Sequence, residues 1–207
     1  MGVGMMDEHY SSLPPRGKRN PSKNNKKETF FSELISTVKY IIGILIVFFI
    51  INQFFFAPVM VDGDSMEPTL TNGEYLLLNK FSEIEQFDIV VFPPPDLEEI
   101  QYVKRVIGLP GDTIEYREDI LYLNGEPTEQ SFLADSKDLD ASIYASGDFT
   151  LSTLLGVETV PDGQYFVLGD NRLNSRDSRS FGFIDQESVL GKVSFRYWPI
   201  EEIGLVE

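Results

Sequence analysis

Ser65 and Lys104 are the serine and lysine of this chain whose settings suit chemistry. Ser65 lies in Gly63-Asp64-Ser65-Met66-Glu67-Pro68-Thr69-Leu70, and Lys104 in Tyr102-Val103-Lys104-Arg105-Val106-Ile107-Gly108-Leu109-Pro110-Gly111-Asp112. The other means of activating a nucleophile are missing. There is no cysteine, hence no thiolate and no disulfide, and the one histidine, His9, sits in a polar tail ahead of an apolar run. A histidine placed there cannot complete a Ser-His-Asp triad. A serine hydrolase built on this chain needs another base, and lysine is a known variant.

Each residue also has a plainer reading. Glu67 and Pro68, just after Ser65, suit the start of a helix, where free backbone N–H groups converge. The N–H of Ser65 itself then helps to form an oxyanion hole. A serine in such a place can equally be a cap or turn residue and nothing more. Lys104 interrupts an apolar strand, with Tyr102, Lys104 and Val106 on one face and Val103, Arg105 and Ile107 on the other. Sharing a face with Tyr102 and Val106 desolvates the amine and lowers its pKa. To act as a base near neutral pH it must fall from ~10.4 to roughly 8, which costs about 3 kcal/mol. The alternative is a lysine snorkelling at a sheet edge.

A third segment, Gly169-Asp170-Asn171-Arg172-Leu173-Asn174-Ser175-Arg176-Asp177-Ser178-Arg179-Ser180-Phe181-Gly182, packs small, polar and charged residues behind the apolar Tyr165-Phe166-Val167-Leu168. It could orient a neutral amine with a hydroxyl and hold itself rigid through Asp–Arg pairs. Read alone, it could also be a solvated loop or a cation site. Only carboxylates and amides are on offer, without recognisable ligand spacing, so no metal or other cofactor is expected.

These segments need elements to position them. From Tyr40 to Phe56 the chain reads YIIGILIVFFIINQFFF, and Val38 to Phe56 is 19 residues, roughly 28 Å of helix at about 1.5 Å each. We therefore expect a disordered basic tail over 1–36, an anchor helix over 37–57 and an exterior domain over 58–207. A cleaved leader does not fit, because Ala57 has Phe55 two places before it and Pro58 directly after it. Seven basic and four acidic residues precede Pro58, out of 17 and 33 in the whole chain. The basic cluster belongs inside and the strongly acidic remainder outside. That sign excludes nucleic acid as a partner. The tail either serves topology alone or also touches anionic membrane lipid.

Beyond Ala57 period-two runs and turn dipeptides dominate. Strands are expected at 59–61, 75–78, 89–92, 101–107, 113–116, 120–123, 164–168 and 192–197, with turns at Asn72-Gly73, Asn124-Gly125 and Asp162-Gly163. A cap region is expected over about 113–161, polar and weakly patterned from Thr128 to Pro161. The class is mainly β: antiparallel sheets with an inserted cap, preceded by one transmembrane helix.

Together, GDSMEPTL, YVKRVIGLPGD and GDNRLNSRDSRSFG, in this order after an N-terminal span, resemble the boxes of bacterial type I signal peptidases. These are membrane-bound serine proteases that remove signal peptides from exported proteins. The resemblance covers roughly Ile41 to Trp198, apart from the stretch around Thr128–Pro161, and is nearest the single-span, Gram-positive-like form. It implies that Ser65 is the nucleophile, Lys104 the general base and Ser175 the hydroxyl that orients the lysine. It further implies an ion pair of Asp177 with Arg179, and another of Asp170 with Arg105. Val61, Gly63, Met66, Leu70, Tyr102 and Val103 match segments lining shallow pockets for small residues at the first and third positions before the cut. The partners implied are signal peptides of secretory preproteins, bound as an added strand. Where some members carry an oxyanion-donating serine, this chain has Gly63, which leaves the Ser65 N–H and a backbone contribution from Gly63. With Ser65 only eight residues past Ala57, enzyme and membrane-embedded substrate share one layer, which raises effective concentration. Two other readings stand beside this one. One is a different Ser-Lys protease, such as a self-cleaving repressor, which would need a DNA-binding domain in place of the span. The other is an anchored binding module or inactive homologue, which would have no use for Ser65, Lys104 and Ser175 together.

Overall fold

The computed structural model describes residues 24–97, 99–134 and 146–206. Two units are distinct, Met1–Phe48 and Phe49–Glu207. Helix α1 runs from Asn24 to Phe55. Within it Phe30–Ile50, 21 residues, is long and apolar enough to cross a membrane. Its apolar side chains stand exposed around the whole helix, Ile35, Ile41, Ile44 and Val47 among them. An apolar stripe on every side of a helix is the pattern of a membrane span.

Its ends depart from the expected boundaries. Residues 24–36 are helical, not disordered, and Phe56 and Ala57 have left the helix for a strand. The reason at the far end is pairing: Phe56 and Ala57 sit opposite Asn79 and Leu78, where their backbone groups find partners. Residues 1–23, with His9 and most of the basic tail, and residues 135–145 of the expected cap lie outside the described residues.

The strands, in chain order, begin with β1 (Phe56–Met60), β2 (Tyr75–Asn79), β3 (Ile89–Phe92) and β4 (Tyr102–Gly108). Next come β5 (Ile114–Arg117), β6 (Ile120–Leu123), β7 (Glu126–Thr128) and β8 (Phe149–Thr150), then β9 (Gln164–Leu168), β10 (Ile184–Asp185), β11 (Gly191–Trp198) and β12 (Gly204–Leu205). Short helices α2 (Ser131–Ala134), α3 (Leu151–Leu155) and α4 (Ser178–Phe181) punctuate them. The main sheet has the order β1-β2-β11-β3-β4-β9-β10, with β12 on β11, and the second has the order β7-β6-β5-β8. The ladders are antiparallel, so the class is mainly β. The expected cap region, with the strands predicted at 113–116 and 120–123, thus forms a sheet of its own with β7 and β8, inserted between the neighbours β4 and β9.

Period-two alternation explains the layering. On β3, Ile89 and Val91 enter one apolar cluster with Val61, Met66, Leu70 and Val193, while Val90 and Phe92 enter another with Val106, Val167 and Ile184. A third cluster joins the sheets, with Ile107, Phe166 and Leu168 from one and Tyr116, Leu121 and Leu123 from the other. The β6–β7 hairpin turns on Asn124 and Gly125, with φ of 52° and 84°. Such left-handed pairs match the twist of a two-residue hairpin.

Candidate active site

Strand β4 lies between β3 and β9, so Lys104 springs from the interior of the main sheet, in register with Val90. It is not at a sheet edge, and only 3% of it is exposed. Its Nζ lies 2.6 Å from Ser65 Oγ and donates to the Val103 carbonyl at 2.9 Å. Burial pushes its pKa from 10.5 down to about 8, against the opposing pull of the Asp177 and Asp170 charges. A neutral amine has one lone pair. With an N–H on Val103, that lone pair is free to face the serine hydroxyl.

Ser65 sits in a turn, not at the start of the helix expected near Met66-Glu67-Pro68. Glu67 N–H donates to the Asp64 carbonyl at 3.2 Å and Leu70 N–H to the Met66 carbonyl at 2.9 Å, with no helical run between. Met66 and Leu70 are both drawn into the core, and that burial bends the segment. Outside contacts then fix the turn. Asn171 N–H donates to the Ser65 carbonyl at 3.1 Å, and Asn171 Nδ2 donates to the Asp64 carbonyl at 3.1 Å. Gly63 N–H is taken up by Asn72 Oδ1 at 3.1 Å, so it is not free to serve an oxyanion. The N–H of Ser65 has no partner among the described residues.

The loop after β9 is built around two buried carboxylates. Asp170 takes Arg105 in a fork, Nε to Oδ1 at 3.0 Å and Nη2 to Oδ2 at 2.8 Å, and also accepts from Thr69 Oγ1 at 2.6 Å. Asp177 accepts from Arg179 Nε at 2.9 Å and from the Gly169 N–H at 3.1 Å. Gly169 packs hard against the backbone of Ser65. A Cβ there would stand 2.4 Å from the Ser65 carbonyl oxygen and 2.2 Å from Ser175 Oγ. Gly169→Ala is therefore expected to displace Ser65 and cut turnover roughly 100-fold, a misplacement of about 1 Å being worth that much. Steady-state rates on a short peptide would check it; a fully active Gly169→Ala variant would contradict the tight packing.

Ser175 does not make the expected contact with the lysine. Its Oγ is buried without a hydrogen-bond partner among the described residues, and an N–H of Lys104 goes to the Val103 carbonyl instead. A cleft of about 440 Å³ opens over Ser65 and Lys104. Val61, Gly63, Met66, Tyr102 and Val103 line it, with Asn174 and Arg176 closing one side. Leu70 does not border the cleft; it lies wholly buried in the core behind. Arg176 is paired with the exposed carboxylate of Asp96. Sequence reasoning assigned no part to Asn171, Asn174 or Arg176. Their position in the polar segment after β9 was the only signal. Chemically, the arrangement can pass a proton from a hydroxyl to a desolvated amine at the floor of an open cleft.

Comparison with known proteins identifies the family. A family model described as signal peptidase, peptidase S26, matches residues 34–198. Signal peptidase I of Bacillus caldolyticus is 48% identical over 158 residues, 74% of this chain and 86% of that protein. Signal peptidase IB of Staphylococcus aureus is 39% identical over 178 residues, 82% of this chain and 92% of that one. A crystal structure of a signal peptidase I from Enterococcus faecalis superposes with a TM-score of 0.50 at 47% identity, covering 54% of this chain and 97% of the other. The chain belongs to the signal peptidase family, peptidase S26.

Proposed function

We propose that this protein is a membrane-anchored endopeptidase that removes N-terminal signal peptides from secreted preproteins, with Ser65 as nucleophile and Lys104 as general base. Family membership supports the reaction. The observation that carries the residue assignment is the buried amine 2.6 Å from the serine hydroxyl.

The steps follow from that contact. Neutral Lys104 takes the Ser65 proton as Oγ attacks the scissile carbonyl carbon, and the Ser65 N–H faces the developing oxyanion. The Lys104 ammonium then protonates the leaving amine, which departs as the new N-terminus of the mature protein. A water next gives its proton to Lys104 and its oxygen to the acyl carbon. The acyl C–Oγ bond then breaks as the Lys104 ammonium returns its proton to Ser65 Oγ, which releases the signal peptide and restores the Ser65 hydroxyl and the neutral amine. Asp177 with Arg179, and Asp170 with Arg105, hold the loop that carries Gly169 and Asn171. Ser175, buried beside this loop, would orient the lysine after a rotation of its hydroxyl toward it.

Substrate would lie extended in the cleft. Val61, Gly63, Met66, Tyr102 and Val103 would form shallow pockets selecting small residues at the first and third positions before the cut. Helix α1 would anchor the chain, with its N-terminus on the cytoplasmic side, the catalytic unit outside, and its basic residues against anionic lipid. The test is incubation of wild type and Ser65→Ala with a secretory preprotein, followed by sequencing of the new N-terminus. The wild type is expected to cut after a small residue, and Ser65→Ala to lose at least on the order of 10⁴-fold in rate while remaining folded. Processing by Ser65→Ala at the wild-type rate would refute the assignment.

A further inference from the structure

The geometry points to Arg172, held by Tyr116 and Gln130 from the inserted region, as a positioning residue for Ser65: a polar brace running from the second sheet to the loop that grips the nucleophile's backbone. The inference rests on the reading of Ser65 as nucleophile.

Arg172 is a large charged side chain only 2% exposed. Buried guanidinium groups normally take a carboxylate, because losing water without a counter-charge is costly. Among the described residues none pairs with Arg172. Its acceptors are neutral: Nη1 donates to Tyr116 Oη at 2.6 Å and to Ser146 Oγ at 2.8 Å, and Nη2 donates to Gln130 Oε1 at 2.6 Å. Tyr116 Oη in turn donates to Gln130 Oε1 at 2.8 Å, so the phenol and the amide fix each other. The Tyr116 ring is locked in β5, stacked on Phe149 at 5.1 Å. The planar guanidinium therefore meets acceptors whose positions a rigid strand sets.

The backbone of Arg172 faces the other way. Its carbonyl accepts from Arg179 Nη2 at 2.7 Å, and Arg179 is tied to Asp177, which holds the Gly169 N–H. The preceding residue, Asn171, donates its N–H to the Ser65 carbonyl. Arg172 is thus where the polar contacts of the second sheet meet those behind the serine. An apolar side chain would fill the same space at less desolvation cost. It would not fix the loop with the sub-ångström precision that in-line attack requires.

The test uses the full-length protein and a short peptide with small residues before the cut, comparing wild type, Tyr116→Phe, Gln130→Ala and Ser65→Ala. Tyr116→Phe removes one oxygen from the brace and touches nothing in the cleft. We expect kcat to fall tenfold or more, with KM essentially unchanged, the melting temperature lowered by only about 2–6 °C and the Lys104 limb of the pH profile still near 8. Gln130→Ala, at a half-buried position that tolerates truncation better, is expected to lower kcat in the same way.

Wild-type kcat in both variants would overturn the inference. So would an upward move of the pH limb toward 10.5, since that would report a loosened, rehydrated site and not a displaced serine. Loss of folding in both variants would overturn it as well, by reducing the cluster to a folding element. An active Ser65→Ala sinks the catalytic reading itself. An inactive Ser65→Ala beside an unimpaired Tyr116→Phe sinks the brace alone.

Discussion

Lys104→Met is expected to abolish preprotein processing and, at neutral pH, to make the protein more stable. The lysine pKa is 10.5 in water and about 8 in the fold. Between those values the unfolded chain binds the proton more readily than the native one, so native stability rises with pH across that window. Below about pH 8 the fold carries the whole penalty of a buried ammonium, about 3 kcal/mol at 1.36 kcal/mol per pKa unit. Methionine has similar length, carries no proton and removes that penalty. A gain of roughly 2–3 kcal/mol should remain after the hydrogen bond to Val103 is lost. For a unit of this size it corresponds to a melting point raised by about 5–10 °C. The gain should shrink between about pH 8 and 10.5 and vanish above, where wild-type lysine is neutral in both states.

Melting curves at pH 7 and pH 11 decide the matter: equal gains at both would deny that burial of charge is the cause. Lys104→Arg should be as inactive as the methionine variant, because guanidinium does not give up its proton at any usable pH. It should gain no stability. Wild-type turnover should rise as pH passes through about 8, the lysine shedding its proton.

Asp170→Asn carries the largest expected loss of stability. Arg105 and Asp170 are 1% and 0% exposed and forked together at 2.8 Å. Asparagine keeps the shape but removes the counter-charge, and its amide nitrogen faces a guanidinium that has only donors to offer. Arg105 would keep its 2.8 Å bond to the Phe87 carbonyl and the Phe132 ring 3.9 Å from its Cζ. Neither replaces an anion. Breaking one side of a buried pair typically costs about 3–5 kcal/mol. The melting point should fall by on the order of 10 °C. Turnover should fall with it, since Gly169 and Asn171 flank the altered residue. Removing both charges, Arg105→Met with Asp170→Leu, should recover most of the stability. A double variant no better than Asp170→Asn would show that shape, and not unpaired charge, sets the loss.

Features that rest on local pattern were legible in the sequence. Ile89–Phe92, Ile120–Leu123 and Gln164–Leu168 have the strand bounds that their alternation predicts, and Asn124-Gly125 turns the hairpin it predicts. Lys104 reads as desolvated because its neighbours along the strand are apolar, and burial does depress its pKa. Features that depend on distant contacts were not legible. Glu67 and Pro68 suit a helix, but burial of Met66 and Leu70 wins over that local preference. Whether Gly63 has a free N–H depends on Asn72, nine residues away. The Ser175 hydroxyl, the Asn171 clamp and the Arg172 cradle depend on segments that meet only after two sheets have formed. Strands were predicted at 113–116 and 120–123, at the start of the cap, but no periodicity marks Tyr116 and Gln130 as holding an arginine of another loop.

Splicing one sheet between two strands that pair with each other has a consequence for when the enzyme becomes an enzyme. Gly108 meets Phe166 across the β4–β9 ladder, so that ladder must close a long loop before it forms. Contacts so distant along the chain form late, because their entropy must be surrendered before any enthalpy returns. The serine can be synthesised and the lysine can enter its strand well before then. Neither is poised until β9 arrives and brings the residues that seat them. If Ser65 and Lys104 act as proposed, activity is expected only once the β4–β9 ladder has closed.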